Sequence, residues 1–318
     1  MIRGIMLHNI ISGRGIFLCL LLFFATSLQA QQIGNGKLQA KHDVLPGNYD
    51  FWIYTPAGYA QEGDGLPLVI FLHGKSLSGH NLNRVLKYGV LDAIKKGKNV
   101  PAVVLAPQSP GNGWAPNKVK GLMDWVVKNY SIDTSRIYVL GMSMGGYGTM
   151  DFVGTYPDKI AAAMALCGGC DLKSYDGLGK LPLWIIHGTA DRAVRMDESR
   201  KIVRYLEENH EDSLLRYDWI PKATHGTLAR VFYVQKTYDW LFKHSTNAAP
   251  RMVDTTMTIT MADIRNGYRE PATASKEDRA MTAVRNRIAH SRLPGSRFVQ
   301  SSIERKQWTA EMILAGAY

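Results

Sequence analysis

Two kinds of hydrophobic pattern alternate along most of this chain. Short apolar runs of strand length fall at 49–56, 66–72, 102–106, 137–141, 160–166, 183–186 and 215–220. The run at 66–72, Leu-Pro-Leu-Val-Ile-Phe-Leu, is apolar throughout and does not alternate, which suits a strand covered on both faces. Between the runs, apolar residues recur at helical spacing. Leu82, Val85, Leu86 and Val90 form one such stripe, and Val119, Leu122, Met123, Val126 and Val127 form another. Further helices are expected directly after Ser143, around 199–209 and over 228–243. Strands alternating with helices predict an α/β fold with a doubly wound, mostly parallel sheet. In such a sheet a site lies at the carboxyl ends of the strands.

Both ends of the chain depart from this rhythm. Arg3 and Arg14 precede an uncharged run at 16–28 that ends in Gln29-Ala30-Gln31, the pattern of a secretory signal peptide over 1–30, cleaved after Ala30. The run is short for a membrane span, so no stable membrane insertion is expected once it is removed. After Ser245 the periodicity stops. Helix candidates begin at Ser275 and Ser301, each with an acid three residues on, separated by Pro, Ser, Arg and Gly. A loosely structured tail is expected over 245–318, and linker, stalk and docked helices all remain open for it. The main body, 31–244, is then a single catalytic domain, which 318 residues at 46% hydrophobic can fill with one large core.

The net charge of +11 comes without a Lys/Arg run or a nucleic-acid motif, so it predicts general attraction to anionic surfaces and no nucleic-acid partner. No pattern in the sequence sets an oligomeric state. Past the leader, two cysteines remain, Cys167 and Cys170. Cys-Gly-Gly-Cys follows an apolar strand and does not open a helix, so a structural disulfide or two buried thiols is expected in place of a redox pair. Two cysteines also argue against a zinc site, and no metal is expected.

The chemistry centres on Gly141-Met142-Ser143-Met144-Gly145-Gly146, which follows an apolar run and precedes a helical segment. That is the strand, sharp turn and helix of a nucleophile elbow, with Ser143 as nucleophile. Glycines two residues to either side relieve the clashes that such a strained turn creates. A serine hydroxyl needs a base to take its proton. His225, in Lys-Ala-Thr-His-Gly-Thr between the last strand and last helix, falls at the same sheet edge. The orienting acid should follow a strand between them: Asp191, in His187-Gly188-Thr189-Ala190-Asp191, is the candidate and Asp171 its competitor. The backbone amides of Met144 and Lys75 are expected to bind the oxyanion, with His73 and Gly74 shaping the approach. His187 is expected to pack structurally.

With Phe71-Leu72-His73-Gly74 and Thr224-His225-Gly226, these motifs resemble the α/β-hydrolase family over residues 49–242. Within that family the chain resembles secreted esterases related to feruloyl esterases, dienelactone hydrolases and polyhydroxybutyrate depolymerases, and the resemblance implies that Trp114, an aromatic in the loop at 108–116, lines the substrate site. The resemblance implies carboxylic-ester hydrolysis through an acyl-enzyme, without a metal or organic cofactor. Members often carry a glycine where Cys170 stands, and simple single-domain members lack the tail. Few residues separate Cys170 from Leu181, so no large lid is expected there, and an open site suits acyl groups on a bulky, carbohydrate-linked alcohol. A serine peptidase or acyltransferase on the same fold would carry the same triad, and a non-catalytic surface-binding protein would have no need of it.

Overall fold

A computed structural model describes residues 31–61 and 63–268. The proposed leader, and the helix candidates at Ser275 and Ser301, lie outside the described residues. Nine strands form one sheet: β1 Gln31–Ile33, β2 Gly36–Lys41, β3 Phe51–Thr55, β4 Leu66–Leu72, β5 Val103–Pro107, β6 Ile132–Met142, β7 Ala162–Leu166, β8 Leu183–Gly188 and β9 Leu215–Ile220. Their order is β1-β2-β3-β5-β4-β6-β7-β8-β9. β1, β2, β3 and β5 pair antiparallel, and every later neighbour pair is parallel. β5 lies on one side of β4 and β6 on the other, so the order reverses at β4, where doubly wound sheets bind their ligands.

The unbroken apolar run of β4 has the expected cause. Val69 and Phe71 enter the core on one face, and Leu68, Ile70 and Leu72 the core on the other. β6 divides in the same way, Tyr138, Leu140 and Met142 against Ile137 and Val139. Alternate side chains of a strand point to opposite faces, and here helices cover both. The helices are α1 Val90–Lys95, α2 Pro116–Asn129, α3 Met144–Thr155, α4 Asp197–Glu208, α5 His225–Leu228, α6 Gln235–Phe242 and α7 Met261–Gly267.

Two stretches that read as single helices are divided. The stripe from Leu82 becomes a 3-10 turn, Leu82–Leu86, and then α1, because Gly89 adopts φ +95 between them. A Cβ at Gly89 would stand 2.1 Å from the Phe71 ring, so the same glycine lets the chain pass close over β4. Residues 228–243 break at the extended Val234 into a 3-10 turn, Ala229–Tyr233, and α6. The hairpin β1–β2 has no counterpart in the apolar pattern. It buries few side chains, chiefly Ile33 and Leu38, and turns through Gly34 at φ +53.

Residues 245–268 are docked on the sheet domain. The Arg251 guanidinium donates to the carbonyls of Lys180, Ile160 and Ala161. Trp240 Nε1 donates to Asp254 O at 2.9 Å, and Arg216 to Thr255 O at 2.6 Å. A Thr260–Asp263 capping box starts α7, which buries Ile264 completely. No helix among the described residues is long and apolar enough to cross a membrane.

Candidate active site

The elbow is set by the crowding of three backbones. Ser143, between β6 and α3, holds φ 59 and ψ −122, a region that non-glycine residues rarely occupy. A Cβ at Gly145 would lie 1.8 Å from Leu72 O of β4, and one at Gly141 would lie 2.3 Å from Gly145 O. Only glycine fits either place. The Ser143 amide donates to Leu166 O at 2.9 Å, tying the turn to β7.

Beyond β8 and β9 the chain supplies a matched pair. His225 opens α5, whose cap Thr224 accepts from the Thr227 amide. Its Nδ1 lies 2.7 Å from Asp191 Oδ2, with the Asp191 side chain fully covered and His225 one-quarter exposed. The other carboxylate oxygen accepts from the amides of Ala193 and Val194 at 2.8 and 3.0 Å. Burial pushes the Asp191 pKa up, but the Val194 and Ala193 amides and His225 outweigh it, and the carboxyl titrates below its ordinary value. Asp191 is therefore an anion at neutral pH. With Nδ1 donating to it, the open nitrogen of His225 is Nε2. Among the described residues, no hydrogen bond joins Ser143 to His225; such contacts are often long before substrate arrives.

A cavity of about 400 Å³ opens at the elbow and is lined by Lys75, Trp114, Ser143, Met144, Tyr147 and Asp171, among others. Met144 is the first residue of α3, so its amide has no partner within the helix. Lys75 begins a 3-10 turn beside the elbow, and Gly74 lets this loop approach: a Cβ there would meet Met142 O at 3.3 Å and Ser143 Cβ at 3.5 Å. Trp114 is held edge-on to His73 and Tyr49, with Nε1 donating to His73 O at 3.2 Å. Gly148 makes room for it, since a Cβ would stand 2.5 Å from Trp114 Cβ.

Two histidines sit behind the site. His73 is fully buried; its Nδ1 donates to Gly74 O at 2.8 Å and its Nε2 accepts from the Ser109 amide at 3.1 Å. Burial pulls its pKa down to about 4, against the Gly74 bond, so it stays neutral and holds two loops together. His187 is also buried, between Ser199 Oγ and Val194 O. Asp171, the competing acid, lies on the cavity wall, and its amide donates to Asp151 Oδ1 at 2.7 Å. Both cysteines are free, buried thiols, which decides the open choice between disulfide and thiols.

Three neighbours of the elbow were not legible in sequence. Tyr147 and Asp151 line the cavity through the helical turn that follows Ser143. Burial, then the Glu198 carboxylate, raises the Tyr147 hydroxyl to about 12, keeping it a neutral donor. Cys167 lies beside Asp191 and His225, and nothing in its local pattern announces that.

A parallel sheet that reverses at β4, an elbow after β6 and an Asp–His pair after β8 and β9 define an α/β-hydrolase, and the chain belongs to that superfamily. The sequence profile of the prolyl oligopeptidase family matches residues 116–184, from α2 through the elbow into β8. Acetylxylan esterase A of Emericella nidulans is 26% identical over 144 residues, 39% of this chain and 45% of that protein. Poly(3-hydroxyalkanoate) depolymerase C of Paucimonas lemoignei is 31% identical over 137 residues, again 39% of this chain but 32% of its own. The matches thus span less than half the length of these curated relatives. Among solved structures, a thermostable esterase superposes with a TM-score of 0.55 at 26% identity, covering 67% of this chain and 64% of the other. A feruloyl esterase module from Clostridium thermocellum, solved with sinapinate, shares the fold: TM-score 0.50, 17% identity, 73% of this chain and 94% of the module.

Proposed function

We propose that this protein is an exported serine carboxylesterase that removes acyl groups from carbohydrate-linked esters, with Ser143 as nucleophile, His225 as base and Asp191 as its orienting acid. The observation that carries the reading is the 2.7 Å contact of His225 with a covered, ionised Asp191 at the sheet edge where the strained Ser143 stands. In the proposed reaction Ser143 Oγ attacks the ester carbonyl and gives its proton to His225 Nε2. The carbonyl oxygen becomes an oxyanion held by the amides of Met144 and Lys75. As the intermediate collapses, the alcohol leaves with the proton from His225, and the acyl group stays on Ser143. A water molecule, deprotonated by the same imidazole, then hydrolyses the acyl-enzyme and restores the serine.

The carbohydrate-linked alcohol is supported by the acetylxylan esterases among the relatives. Export is supported by the charged start and apolar run before Gln31, and the catalytic unit is taken to begin there. The match to the prolyl oligopeptidase family favours a second reading, a peptidase on the same triad.

One panel separates these readings. Acetylated xylan oligosaccharides, acetyl to octanoyl and feruloyl esters, and aminoacyl amides are offered to the protein and to Ser143→Ala. Turnover of the acetylated or feruloylated sugars, lost in the variant, is expected. Turnover of the amides alone would replace the esterase with the peptidase. Activity that survives in Ser143→Ala would remove the serine from the reaction.

A further inference from the structure

Cys167 Sγ, an Asp191 carboxylate oxygen and a His225 ring nitrogen all lie within 4.8 Å of one another. They come from the ends of three adjacent strands, Cys167 directly after β7, Asp191 after β8 and His225 after β9. Cys167 is fully buried, and its backbone is held at φ 39, a conformation that L residues seldom adopt. Its thiol faces the Asp191 carboxylate and the Ser143 amide. A thiolate, an imidazole and a carboxylate converging from three strands is a donor set for zinc, and the reaction proposed above gives Cys167 nothing to do.

We propose that Cys167, Asp191 and His225 form an inhibitory site for a thiophilic divalent cation, of which Zn²⁺ is the type. Sγ, a carboxylate oxygen and His225 Nδ1 are the three protein ligands, and water from the exposed side of His225 completes the tetrahedron. Zinc bonds of about 2.0–2.3 Å set neighbouring donors roughly 3.3–3.8 Å apart. The Asp191–His225 contact therefore opens from 2.7 Å by about half an ångström while Sγ draws inward. His225 is placed for that shift: it starts a four-residue helix, and Gly226 beside it has open space around it.

The proton balance explains why binding silences the enzyme. The Cys167 thiol releases its proton to solvent, and the thiolate and carboxylate together neutralise the cation. His225 gives its Nδ1 lone pair to the metal, so the ring proton moves to Nε2. That nitrogen then has no lone pair for the serine proton, and Ser143 stays protonated. The inhibitory consequence rests on His225 being the base; the binding does not. Hard cations prefer oxygen donors and should leave the site alone.

The test uses the whole protein, freed of metal by a chelator. Zn²⁺ at micromolar levels is expected to abolish ester hydrolysis reversibly, with chelator restoring it, while millimolar Mg²⁺ or Ca²⁺ has no effect. Co²⁺ is expected to give the near-ultraviolet sulfur-to-cobalt absorption of a bound thiolate, retained in Cys170→Ala and lost in both Cys167→Ala and Cys167→Ser. The zinc concentration for half-inhibition, compared with each variant's own metal-free rate, should rise at least tenfold in the Cys167 variants. Equal zinc sensitivity in those variants, or a Co²⁺ complex of the unaltered protein without the sulfur band, overturns the proposal. A protein inactive on every ester that still shows the Cys167-dependent band keeps the metal site and overturns the esterase reading instead.

Discussion

At the scale of single residues, the site is governed by which nitrogen of His225 is free. Asp191 fixes that choice, because an ionised carboxylate at 2.7 Å requires Nδ1 to carry the proton. Asp191→Asn should lower kcat by on the order of 10³–10⁴ with little change in fold, since an amide in that place can donate to Nδ1 and reverse the tautomer. The measurement is kcat on an acetyl ester beside the circular-dichroism spectrum of the variant. His73 supplies the contrast. Both histidines follow strands and sit beside glycines, and the sequence reading puts both at the site, His225 as base and His73 beside the oxyanion amides, but His73 has both nitrogens satisfied and no exposed edge. Its part is to hold the loop of Lys75 against the loop of Trp114.

For the elements, the controlling fact is how closely β4, β6 and α3 approach at the elbow. Gly145→Ala forces a methyl group to within 1.8 Å of Leu72 O, a backbone atom in a central strand that cannot move aside. The variant should lose about 3 kcal/mol or more of stability together with its activity, read from urea unfolding. The docked segment 245–268 behaves as a further element of the fold, although its sequence lacks periodicity. Its anchorage is a few well-placed groups: Arg251 on three carbonyls, the Trp240 bond to Asp254 O, and Ile264 in the core. Ile264→Ala should cost about 2–4 kcal/mol, a penalty that a loose tail would not show in the same unfolding experiment.

Across the whole molecule, acid sensitivity follows from carboxylates that bind this segment. The Lys243 ammonium and the Thr256 groups hold Asp254 well below the usual carboxylate range, and Asp263 is lowered because Lys236 and the Thr260 cap outweigh its burial. Folded-state values below the unfolded ones mean that this stabilisation is complete above about pH 4 and is lost as pH falls through the folded values. Stability to urea should therefore fall from pH 4 downward, and Asp254→Asn should flatten part of that slope. The net charge of +11 adds self-repulsion and predicts salt-sensitive retention on anionic matrices, checked by elution at rising ionic strength.

The sequence by itself determined the doubly wound sheet and the tight strand-to-helix turn at Ser143. Each of these is local: a strand covered on both faces must be apolar at successive positions, and a turn as tight as that at Ser143 admits only glycine at 141 and 145. The breaks at Gly89 and Val234 were not legible in the apolar stripes, which run on across both because burial continues on each side. Only the tertiary structure decided that Asp191 and not Asp171 faces His225, that Cys167 joins them, that His73 is sealed away, and that residues 245–268 are docked. These are relations between strand ends distant in sequence, fixed by the order and twist of the sheet, and no periodicity along the chain carries them.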